Sequence, residues 1–468
     1  MKVLLIQPFG RESNTNYPPM GLLYLASYLK ANTNYEIKIL DLRANKIPIE
    51  GKITEIKSWR PDVVGITGLS IEWTGFKQVT NAVRDALGEE TVIVAGGPHA
   101  TIFKNMVLKR TPVKYVVKGE GEETFMELLH AIEKSEKIEN IKGLVIRKNG
   151  GEIVETQDRE SIKDLDSIPF PEYELLSMED YFKNPHFHGN LNKYNRVLPI
   201  LTSRGCPFRC NFCFHAMGYK FRARSAENVL GEIDWLVNRY GVKELQIEDD
   251  TFNFNIQRAK EIMKRIIQNN YRLSFVFPSG IKFELVDEEL MTLFKQAGVY
   301  RIHYGIETAV PRVQKIVNKP INLERLNSVI ELTDRANISS HGFFMMGFPT
   351  ETEEEIMQTI IYATQSRLAT ANFSILKTFP GTPFGDRYLK GEQSFDDDFA
   401  FSYDSTSTNF SAVPDVRLKQ LQKMAMKRFY LRPDRIWRIF RTSPNKKNLF
   451  TRNLLAVLSL IFRGRAKY

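Results

Sequence analysis

Apolar runs and amphipathic stretches alternate twice along the chain. Over residues 1 to about 135, runs rich in β-branched residues (KVLLIQ, YEIKILDL, PDVVGITGLS, TVIVAGG and VKYVVKG) are separated by stretches with helical periodicity, such as PPMGLLYLASYLK. Short apolar runs of this kind predict buried strands, and the periodicity between them predicts amphipathic helices. Their alternation predicts a doubly wound parallel sheet.

Glycines and polar residues follow three of these predicted strands. A doubly wound sheet binds its ligand at the carboxyl ends of its strands, and glycine lets the backbone approach a bulky ligand closely. We therefore expect a cofactor-binding edge that consists of Gly68, Ser70, Gly96, Gly97, His99, Gly119, Glu120 and Gly121.

The periodicity fades after this first alternation. GLVIRKNGGEIVE, with its Asn-Gly-Gly turn, predicts a β-hairpin, and the LDSIPFPEYELL that follows is rich in proline and acidic residues, as linkers are. A second alternation begins near residue 196. These changes predict four segments: residues 1–140, 141–195, 196–385 and 386–468.

Six apolar runs make up the second alternation: RVLPILTSR, VKELQIEDDTF, RLSFVFPSG, YRIHYGIET, SSHGFFMMGFP and ANFSILKTFPGTP. Six strand–helix units predict a partial TIM-type barrel that stays open where a full one would close, with its active site at the carboxyl ends of the strands. The predicted fold class is therefore α/β. It combines a Rossmann-like doubly wound sheet, a partial (β/α)6 barrel and a helical, basic C-terminal tail.

All three cysteines of the chain lie in one stretch, RGCPFRCNFC, directly after the first predicted barrel strand. Cys206, Cys210 and Cys213 are an odd and crowded set, which argues against disulfides. Zinc normally requires more distant Cys or His partners, and the chain has no second cysteine pair. An iron–sulfur cluster takes four ligands, so three thiolates would leave one iron open to a ligand that is not protein.

The spacing of these cysteines, with Phe212 before the last of them, resembles the CxxxCxxC loop of the radical SAM superfamily. The resemblance implies a 4Fe-4S cluster held by Cys206, Cys210 and Cys213, with S-adenosylmethionine (SAM) on the open iron. It also implies reductive cleavage of SAM to a 5'-deoxyadenosyl radical. An external electron donor such as flavodoxin or ferredoxin would supply the electron.

Polar residues at the ends of the later barrel strands match the places where this superfamily contacts SAM. Glu248, Asp249 and Asp250 stand where relatives contact the amino group, although the commoner Gly-Gly-Glu form is replaced. Glu307 of GIET stands where relatives contact the ribose, and Gly347 of GFP beside the adenine. The implied SAM contacts are Phe212, Glu248, Asp249, Asp250, Ser279, Glu307 and Gly347, with Lys282 near Ser279.

The N-terminal half resembles the cobalamin-binding domain that precedes many radical SAM barrels, on the segments PPMGLLYLASYLK, AGGPHAT and GEGEETF. The cobalamin signature Asp-x-His-x-x-Gly is absent, because none of the seven histidines has Asp two positions before it. The resemblance therefore implies cobalamin held without a histidine on cobalt. A doubly wound domain that binds no cobalamin, or only a substrate, stays open as the alternative.

The leading hypothesis is a cobalamin-dependent radical SAM enzyme that methylates an unactivated carbon of a small molecule or lipid. Related enzymes instead cyclise or rearrange carbon skeletons, and the sequence does not separate these outcomes. A methylthiotransferase would need a second cluster with three further cysteines, which the chain lacks. A non-enzymatic cobalamin sensor or carrier would leave the cysteine loop and the barrel unexplained.

Composition fits a large globular enzyme, with 43% hydrophobic and 26% charged residues. The apolar run in MKVLLIQPFG is too short for a signal peptide, and no uninterrupted apolar stretch reaches the roughly 20 residues that span a bilayer. We expect a cytoplasmic protein, since a reducing compartment also keeps thiols available for a cluster.

The tail holds all of the net charge of +10. Residues 427–468 contain twelve Lys and Arg against one acid, Asp434, and they include the apolar run NLLAVLSLIF. This pattern predicts one of two helices. The first lies on the inner face of the membrane and brings a hydrophobic substrate with it; the second packs its leucines on the barrel and leaves its arginines in solvent. We expect no nucleic-acid partner, because an apolar run of this length has no use on a phosphate backbone.

Overall fold

A computed structural model gives the fold of the chain. It divides the chain into two compact units, one built mainly from Met1–His186 and the other mainly from Phe187–Phe214, Tyr219–Leu389 and the C-terminal region. The structure describes residues 1–10, 16–44, 46–183, 185, 192–389, 409–444 and 446.

The first unit is built on a seven-stranded sheet with the order β2-β1-β3-β4-β5-β6-β7. The first five of its strands in the chain run parallel, and the last two form an antiparallel hairpin that extends the sheet. The strands are β1 (Lys2–Gln7), β2 (Glu36–Asp41), β3 (Val63–Thr67), β4 (Val92–Gly96), β5 (Tyr115–Val117), β6 (Leu144–Arg147) and β7 (Ile153–Glu155).

Helices cover this sheet because its central strands are apolar on both faces. Leu22 and Leu29 of the first helix pack with Phe125 and Leu128 of the sixth over Val3 and Leu5 of β1. Parallel strands buried in this way give the continuous apolar runs seen in the sequence. The helices are α1 (Met20–Asn32), α2 (Ile53–Trp59), α3 (Trp73–Leu87), α4 (Gly97–Ile102), α5 (Lys104–Arg110), α6 (Glu122–Lys134) and, after the hairpin, α7 (Met178–Lys183).

The second unit contains six parallel strands in sequential order, β8-β11-β12-β13-β14-β15, which is the topology of a partial barrel. A short antiparallel pair, β9 and β10, brackets the cysteine loop. The strands are β8 (Val197–Ile200), β9 (Ser203–Arg204), β10 (Arg222–Ala223), β11 (Glu244–Ile247), β12 (Ser274–Phe277), β13 (Val299–Glu307), β14 (Ser339–Met346) and β15 (Thr370–Ile375).

Helices follow the barrel strands, and most of the longer ones begin at a side-chain cap. Ser225, Asn255, Asp287, Asn322 and Thr352 each accept a hydrogen bond from a backbone N–H of the first helical turn, worth about 1 kcal/mol per cap. The helices are α8 (Ala226–Tyr240), α9 (Ile256–Gln268), α10 (Glu288–Ala297), α11 (Pro311–Ile316), α12 (Leu323–Arg335), α13 (Glu353–Gln365) and α14 (Pro383–Tyr388).

Two helices form the described C-terminal region, α15 (Asp415–Tyr430) and α16 (Pro433–Thr442). Together the two sheets and this helical region match the fold class predicted from the sequence, whereas the exact segment boundaries stay a prediction. The run NLLAVLSLIF lies outside the described residues. Within the described part of the chain, no helix is long and apolar enough to cross a bilayer.

Candidate functional site

The cysteine loop follows the first barrel strand and is fixed by its backbone. Gly205 enters it with a φ of +83°, in the left-handed region that favours glycine. The Asn211 amide donates to the Ile316 carbonyl at 2.7 Å, and the Asn211 N–H donates to the Val317 carbonyl at 2.9 Å. Asn318 donates to the Arg209 carbonyl at 2.7 Å. Two asparagines that the sequence analysis missed therefore hold the loop against the end of α11.

The three thiols differ in their surroundings. Cys206 and Cys210 are partly buried, whereas Cys213 is exposed by surface area. Neighbouring protein atoms still desolvate the Cys213 thiol, and this burial raises its pKa to about 12; burial also raises the pKa of Cys210. Thr251 donates a hydrogen bond to the Cys206 sulfur at 3.4 Å.

The three thiols of the loop suit the ligand set of an iron–sulfur cluster. Among the residues that the structure describes, no three His, Cys, Asp or Glu side chains converge as the ligands of one metal ion would. A 4Fe-4S cluster takes one thiolate at each ligated iron, so its ligands need not converge on one point. Three thiols on one anchored loop fit a cluster with one iron left open.

Asp249 is almost fully buried beside the entrance to this loop. Its carboxylate accepts hydrogen bonds from the Thr202 N–H at 2.6 Å, the Thr202 hydroxyl at 2.5 Å and the Ser203 hydroxyl at 2.6 Å. Burial raises the pKa of Asp249, and the Arg258 guanidinium opposes that rise. Whether Asp249 also contacts SAM stays a prediction, but its contacts make it an anchor for β9.

Glu248 and Ser279 meet at the carboxyl ends of neighbouring strands. The Ser279 hydroxyl donates to the Glu248 carboxylate at 3.3 Å, and Asp250 next to it is exposed. Lys282 extends its ammonium group over the Phe208 ring of the cysteine loop, 4.4 Å from the ring centroid. The predicted polar residues after β11 and β12 are thus gathered at one end of the barrel.

Glu307 ends β13 in an unusual backbone conformation, with a φ of +62° at an irregularity in the pairing with β14. Such a φ is costly for a residue other than glycine and is common at functional sites. The Lys319 ammonium donates to the Glu307 carboxylate at 2.8 Å. Burial alone would lower the pKa of Lys319, but the negative charges of the Glu307 carboxylate and of an ionised Cys210 more than offset this and raise it.

Gly305 leaves the space for this ion pair. A Cβ at this position would lie 2.8 Å from the Lys319 ammonium and 2.9 Å from the Glu307 carboxylate. The sequence analysis singled out Glu307 but missed Gly305 and Lys319. The proximity of a lysine twelve residues after a strand end has no signature in a single sequence.

Gly347 follows β14 with a φ of +90°. The Glu351 carboxylate accepts from the N–H groups of Gly347 at 2.8 Å and Phe348 at 3.1 Å, which fixes this turn. Burial raises the pKa of Glu351 to about 7. The Phe212 ring lies 6.0 Å from the Phe348 ring, so the cysteine loop and the GFP turn are in contact through two aromatics.

The carboxyl edge of the first sheet carries the predicted cobalamin-binding residues. At Gly97 the φ is +79°, and a Cβ would lie 2.1 Å from the Thr67 hydroxyl, so only glycine fits. A Cβ at Gly119 would meet nothing within 4 Å, which leaves room for a ligand. Leu69, between Gly68 and Ser70, is 41% exposed and offers an apolar contact that the sequence analysis missed.

His99 is enclosed by the first unit. Its ring is fully buried and lies 4.7 Å from the Trp73 ring and 5.0 Å from the Phe103 ring, and Nδ1 is 3.1 Å from the Ser70 hydroxyl. Burial lowers the pKa of His99 to about 3. The imidazole is therefore neutral and shielded from solvent, and it contacts the turn at Ser70 through Nδ1.

The other members of the predicted edge lie around this turn and the β5 end. The Glu120 carboxylate accepts from the Ile162 N–H at 2.9 Å, so it ties the edge to the segment after the hairpin. Gly96 precedes Gly97 at the end of β4. Among the described residues, an added Cβ at Gly121 would make only ordinary contacts, with Val117 at 3.8 Å and Leu25 at 3.9 Å.

A buried charge cluster, unanticipated from the sequence, stabilises the same edge. Glu72 accepts from the Gln7 amide at 2.9 Å and from the Leu69 N–H at 2.8 Å. Arg43 lies between Glu72 and Asp41, and Tyr181 of α7 donates to Asp41 at 2.9 Å. The cluster fixes the turn that presents Leu69 and Ser70.

Comparison with known protein families agrees with the description of both the barrel unit and the N-terminal unit. Residues 200–363 match the family described as the radical SAM superfamily, and residues 6–129 match the B12 binding domain.

Two relatives align with most of this chain. An uncharacterized methyltransferase from Pyrococcus horikoshii is 33% identical over 390 residues, 82% of this chain and 82% of its own. An anaerobic magnesium-protoporphyrin IX monomethyl ester cyclase from Rubrivivax gelatinosus is 28% identical over 389 residues, 81% of this chain and 68% of its own.

A solved structure shares the fold. The radical SAM methyltransferase TsrM from Kitasatospora setae, with cobalamin and a 4Fe-4S cluster bound, aligns with a TM-score of 0.70 at 20% identity, over 84% of this chain and 75% of TsrM. Both family matches and the 33% relative lead to one conclusion. The chain belongs to the radical SAM enzymes that carry an N-terminal B12-binding domain, a family of methyltransferases and cyclases.

Proposed function

We propose that this enzyme uses a 4Fe-4S cluster, SAM and cobalamin to methylate an unactivated carbon. The observation that supports this most directly is the cysteine loop. The only three cysteines of the chain lie on one anchored loop, at the strand ends of a parallel partial barrel. In this proposal Cys206, Cys210 and Cys213 ligate the cluster and leave its fourth iron to SAM.

The carboxylates around the loop suit the amino and ribose groups of SAM. Glu248 and Ser279 are hydrogen-bonded neighbours, and exposed Asp250 adds a second negative charge for the ammonium group. Glu307, held by Lys319, would accept from a ribose hydroxyl. The Gly347 turn and Phe212 would flank the adenine, while Asp249 acts by holding β9.

Cobalamin would lie on the carboxyl edge of the first sheet. Gly119 would allow close approach, because an added Cβ there would meet nothing within 4 Å, and Leu69 would supply an apolar contact. Gly68, Gly97 and Gly121 belong to the packed turns beside it. Ser70 and His99 support that turn, Gly96 precedes it, and Glu120 ties it to the next segment. Since His99 is enclosed, the proposal includes no histidine ligand on cobalt.

The cofactors supply the hard chemistry when bound: SAM on the cluster gives the 5'-deoxyadenosyl radical, and cobalamin gives the methyl group. The chain binds and orients the reactants and excludes water from them. Methyl transfer is preferred over cyclisation because the 33% relative is described as a methyltransferase. Cyclisation is the second candidate, because the cyclase of Rubrivivax gelatinosus also covers most of this chain.

The remaining parts of the proposal concern partners and location. An external one-electron donor such as flavodoxin or ferredoxin would reduce the cluster, which suits a cytoplasmic protein with reduced thiols. The substrate would be a small molecule or lipid, delivered at the inner face of the membrane through the basic tail.

The test is anaerobic SAM cleavage with a chemical one-electron reductant, with 5'-deoxyadenosine and S-adenosylhomocysteine measured by mass spectrometry. The wild-type protein should form both products, and the triple Cys206→Ala, Cys210→Ala, Cys213→Ala variant should form neither while it still binds cobalamin. Cobalamin retention is the internal control for folding. Product formation by the triple variant would refute the proposal.

A further inference from the structure

The last described helix, α16, attaches to the barrel through its arginines. Arg435 is fully buried, and its guanidinium donates to the carbonyls of Thr364 at 3.0 Å and Ser366 at 2.9 Å. It also lies 4.0 Å above the Phe429 ring. The acceptors are carbonyls at the C-terminal end of α13, where backbone oxygens lack helical partners and the helix dipole favours a cation.

Three further arginines of this region bind the same surface. Arg432 donates to the Thr364 carbonyl at 2.9 Å, Arg438 donates to the Leu368 carbonyl at 3.4 Å, and Arg441 forms an ion pair with Asp334. The arginines of this region therefore contact the barrel, although the side chains of Arg432 and Arg441 stay 39% and 40% exposed. The leucine-rich run of the predicted tail helix lies outside the described residues, so both alternatives for that helix stay predictions.

The opposite face of α16 is apolar and points to solvent. Ile436 is 57% exposed and Trp437 is 63% exposed, and Leu431, between α15 and α16, is also 57% exposed. Trp437 stacks on Phe440, with ring centroids 5.9 Å apart, and the Lys446 ammonium lies 4.9 Å from the Phe440 centroid. A helix of a soluble protein normally turns such a face inward.

The residues around this face are basic. Lys423, Lys427 and Arg428 of α15 are exposed, and residues 415–446 contain ten Lys and Arg against two acids. In the sequence that follows, NLLAVLSLIF stands between Arg452 and Arg463. An aromatic and aliphatic surface with a basic rim complements a bilayer surface with anionic headgroups.

We propose that Leu431, Ile436, Trp437 and Phe440 form a docking face that inserts into the interface of an anionic bilayer. The arginine contacts with α13 and Asp334 fix α16 in the orientation that presents this face. The inference deepens the membrane contact of the proposed function, on which it rests. It does not depend on the proposed reaction, because no residue of the face lies at the cysteine loop.

The test is sedimentation of the full-length protein with sucrose-loaded vesicles. One set contains phosphatidylcholine alone, and the other contains phosphatidylglycerol and phosphatidylcholine in equal parts. The variant is Ile436→Gln with Trp437→Gln, and the control is Val416→Gln with Ile361→Gln, which removes two apolar side chains that are 72% and 45% exposed elsewhere. SAM cleavage by all three proteins shows whether the barrel is intact.

Wild type and control should bind the anionic vesicles, lose that binding at high salt, and shift Trp fluorescence to shorter wavelength. The affinity of the Ile436/Trp437 variant for the anionic vesicles should be at least about tenfold lower. Burial of even part of the two side chains in the bilayer interface contributes more than about 1.4 kcal/mol. The proposal would be overturned if the variant bound vesicles as well as wild type, or if wild type bound no vesicles. It would also be overturned if wild type formed a dimer that the variant does not form and neither protein bound vesicles.

Discussion

Replacement of Asp249 by alanine tests whether this carboxylate anchors the cysteine loop. Asp249 accepts three hydrogen bonds of 2.5–2.6 Å from Thr202 and Ser203, all in a buried setting. The alanine variant leaves those donors without an acceptor. A buried donor left unsatisfied costs about 1–3 kcal/mol.

The expected loss is smaller than three full penalties, because removing Asp249 also removes the cost of burying its charge. That cost is real, since burial raises the pKa of Asp249 in spite of Arg258. We therefore expect Asp249→Ala to lower the free energy of unfolding by about 3–5 kcal/mol. Asp249→Asn keeps one acceptor oxygen and should lose only about 1–2 kcal/mol.

Urea denaturation and iron content after anaerobic reconstitution measure the two consequences. Asp250→Ala is the matched control, because Asp250 is adjacent in sequence but exposed. It should keep its stability within about 0.5 kcal/mol and its iron content, even if SAM binds more weakly. The anchoring role would be refuted if Asp249→Ala kept both its stability and its iron, or if Asp250→Ala lost iron to the same extent.

Three further predictions concern other parts of the two sites. Lys319→Met leaves the buried Glu307 carboxylate without its cation, so the affinity for SAM should fall at least about tenfold. Anaerobic equilibrium dialysis measures this affinity. The control Lys315→Met, which changes an exposed lysine, should bind SAM like wild type. Glu351 has a folded-state pKa of about 7 against an ordinary 4.5, so its contribution is full below about pH 4.5 and is lost as the pH rises to about 7. Glu351→Gln should remove this dependence, worth about 3 kcal/mol between pH 5 and 8 in urea denaturation; an unchanged pH profile would contradict the assignment. The Co(II) form of bound cobalamin should show no nitrogen coupling from a protein ligand in electron paramagnetic resonance, because His99 is enclosed; such coupling, lost in His99→Ala, would contradict this.

Much of the fold could be predicted because its strands are short apolar runs with helices between them. KVLLIQ and TVIVAGG form strands that are buried on both faces of a parallel sheet. Such burial requires continuous apolar runs, which can be recognised in the sequence. The cysteine loop could also be predicted, because the three cysteines lie at a recognisable spacing directly after a predicted strand. These features are local, so a single sequence contains them.

The partners within the site could not be predicted, because they are brought together by the fold. Glu248, Asp249 and Asp250 are consecutive, yet only Asp249 turns inward to Thr202, 47 residues earlier in the chain. Gly305 lies next to the Lys319 ammonium only in the folded chain, and neither sequence segment indicates this contact. Helix α16 shows the same limit, since the excess of basic residues in the tail did not indicate that Arg435 would be buried against the end of α13.

The docking of α16 also shows why charge is a poor guide to solvent exposure. Arg435 is buried because the end of α13 offers carbonyl oxygens that water would otherwise satisfy. Its guanidinium lies over the Phe429 ring, so the buried charge has two hydrogen bonds and an aromatic contact.

Metal and cofactor content of the anaerobically purified protein tests the central claim most directly. Iron, acid-labile sulfide and cobalamin should be measured on one sample of wild type and one of the triple Cys206, Cys210 and Cys213 alanine variant. Wild type should contain about four irons, about four sulfides and about one cobalamin per chain after reconstitution, and the variant should keep the cobalamin while its iron and sulfide fall close to zero. Iron and sulfide that persist in the variant, or that never appear in wild type, would contradict the account.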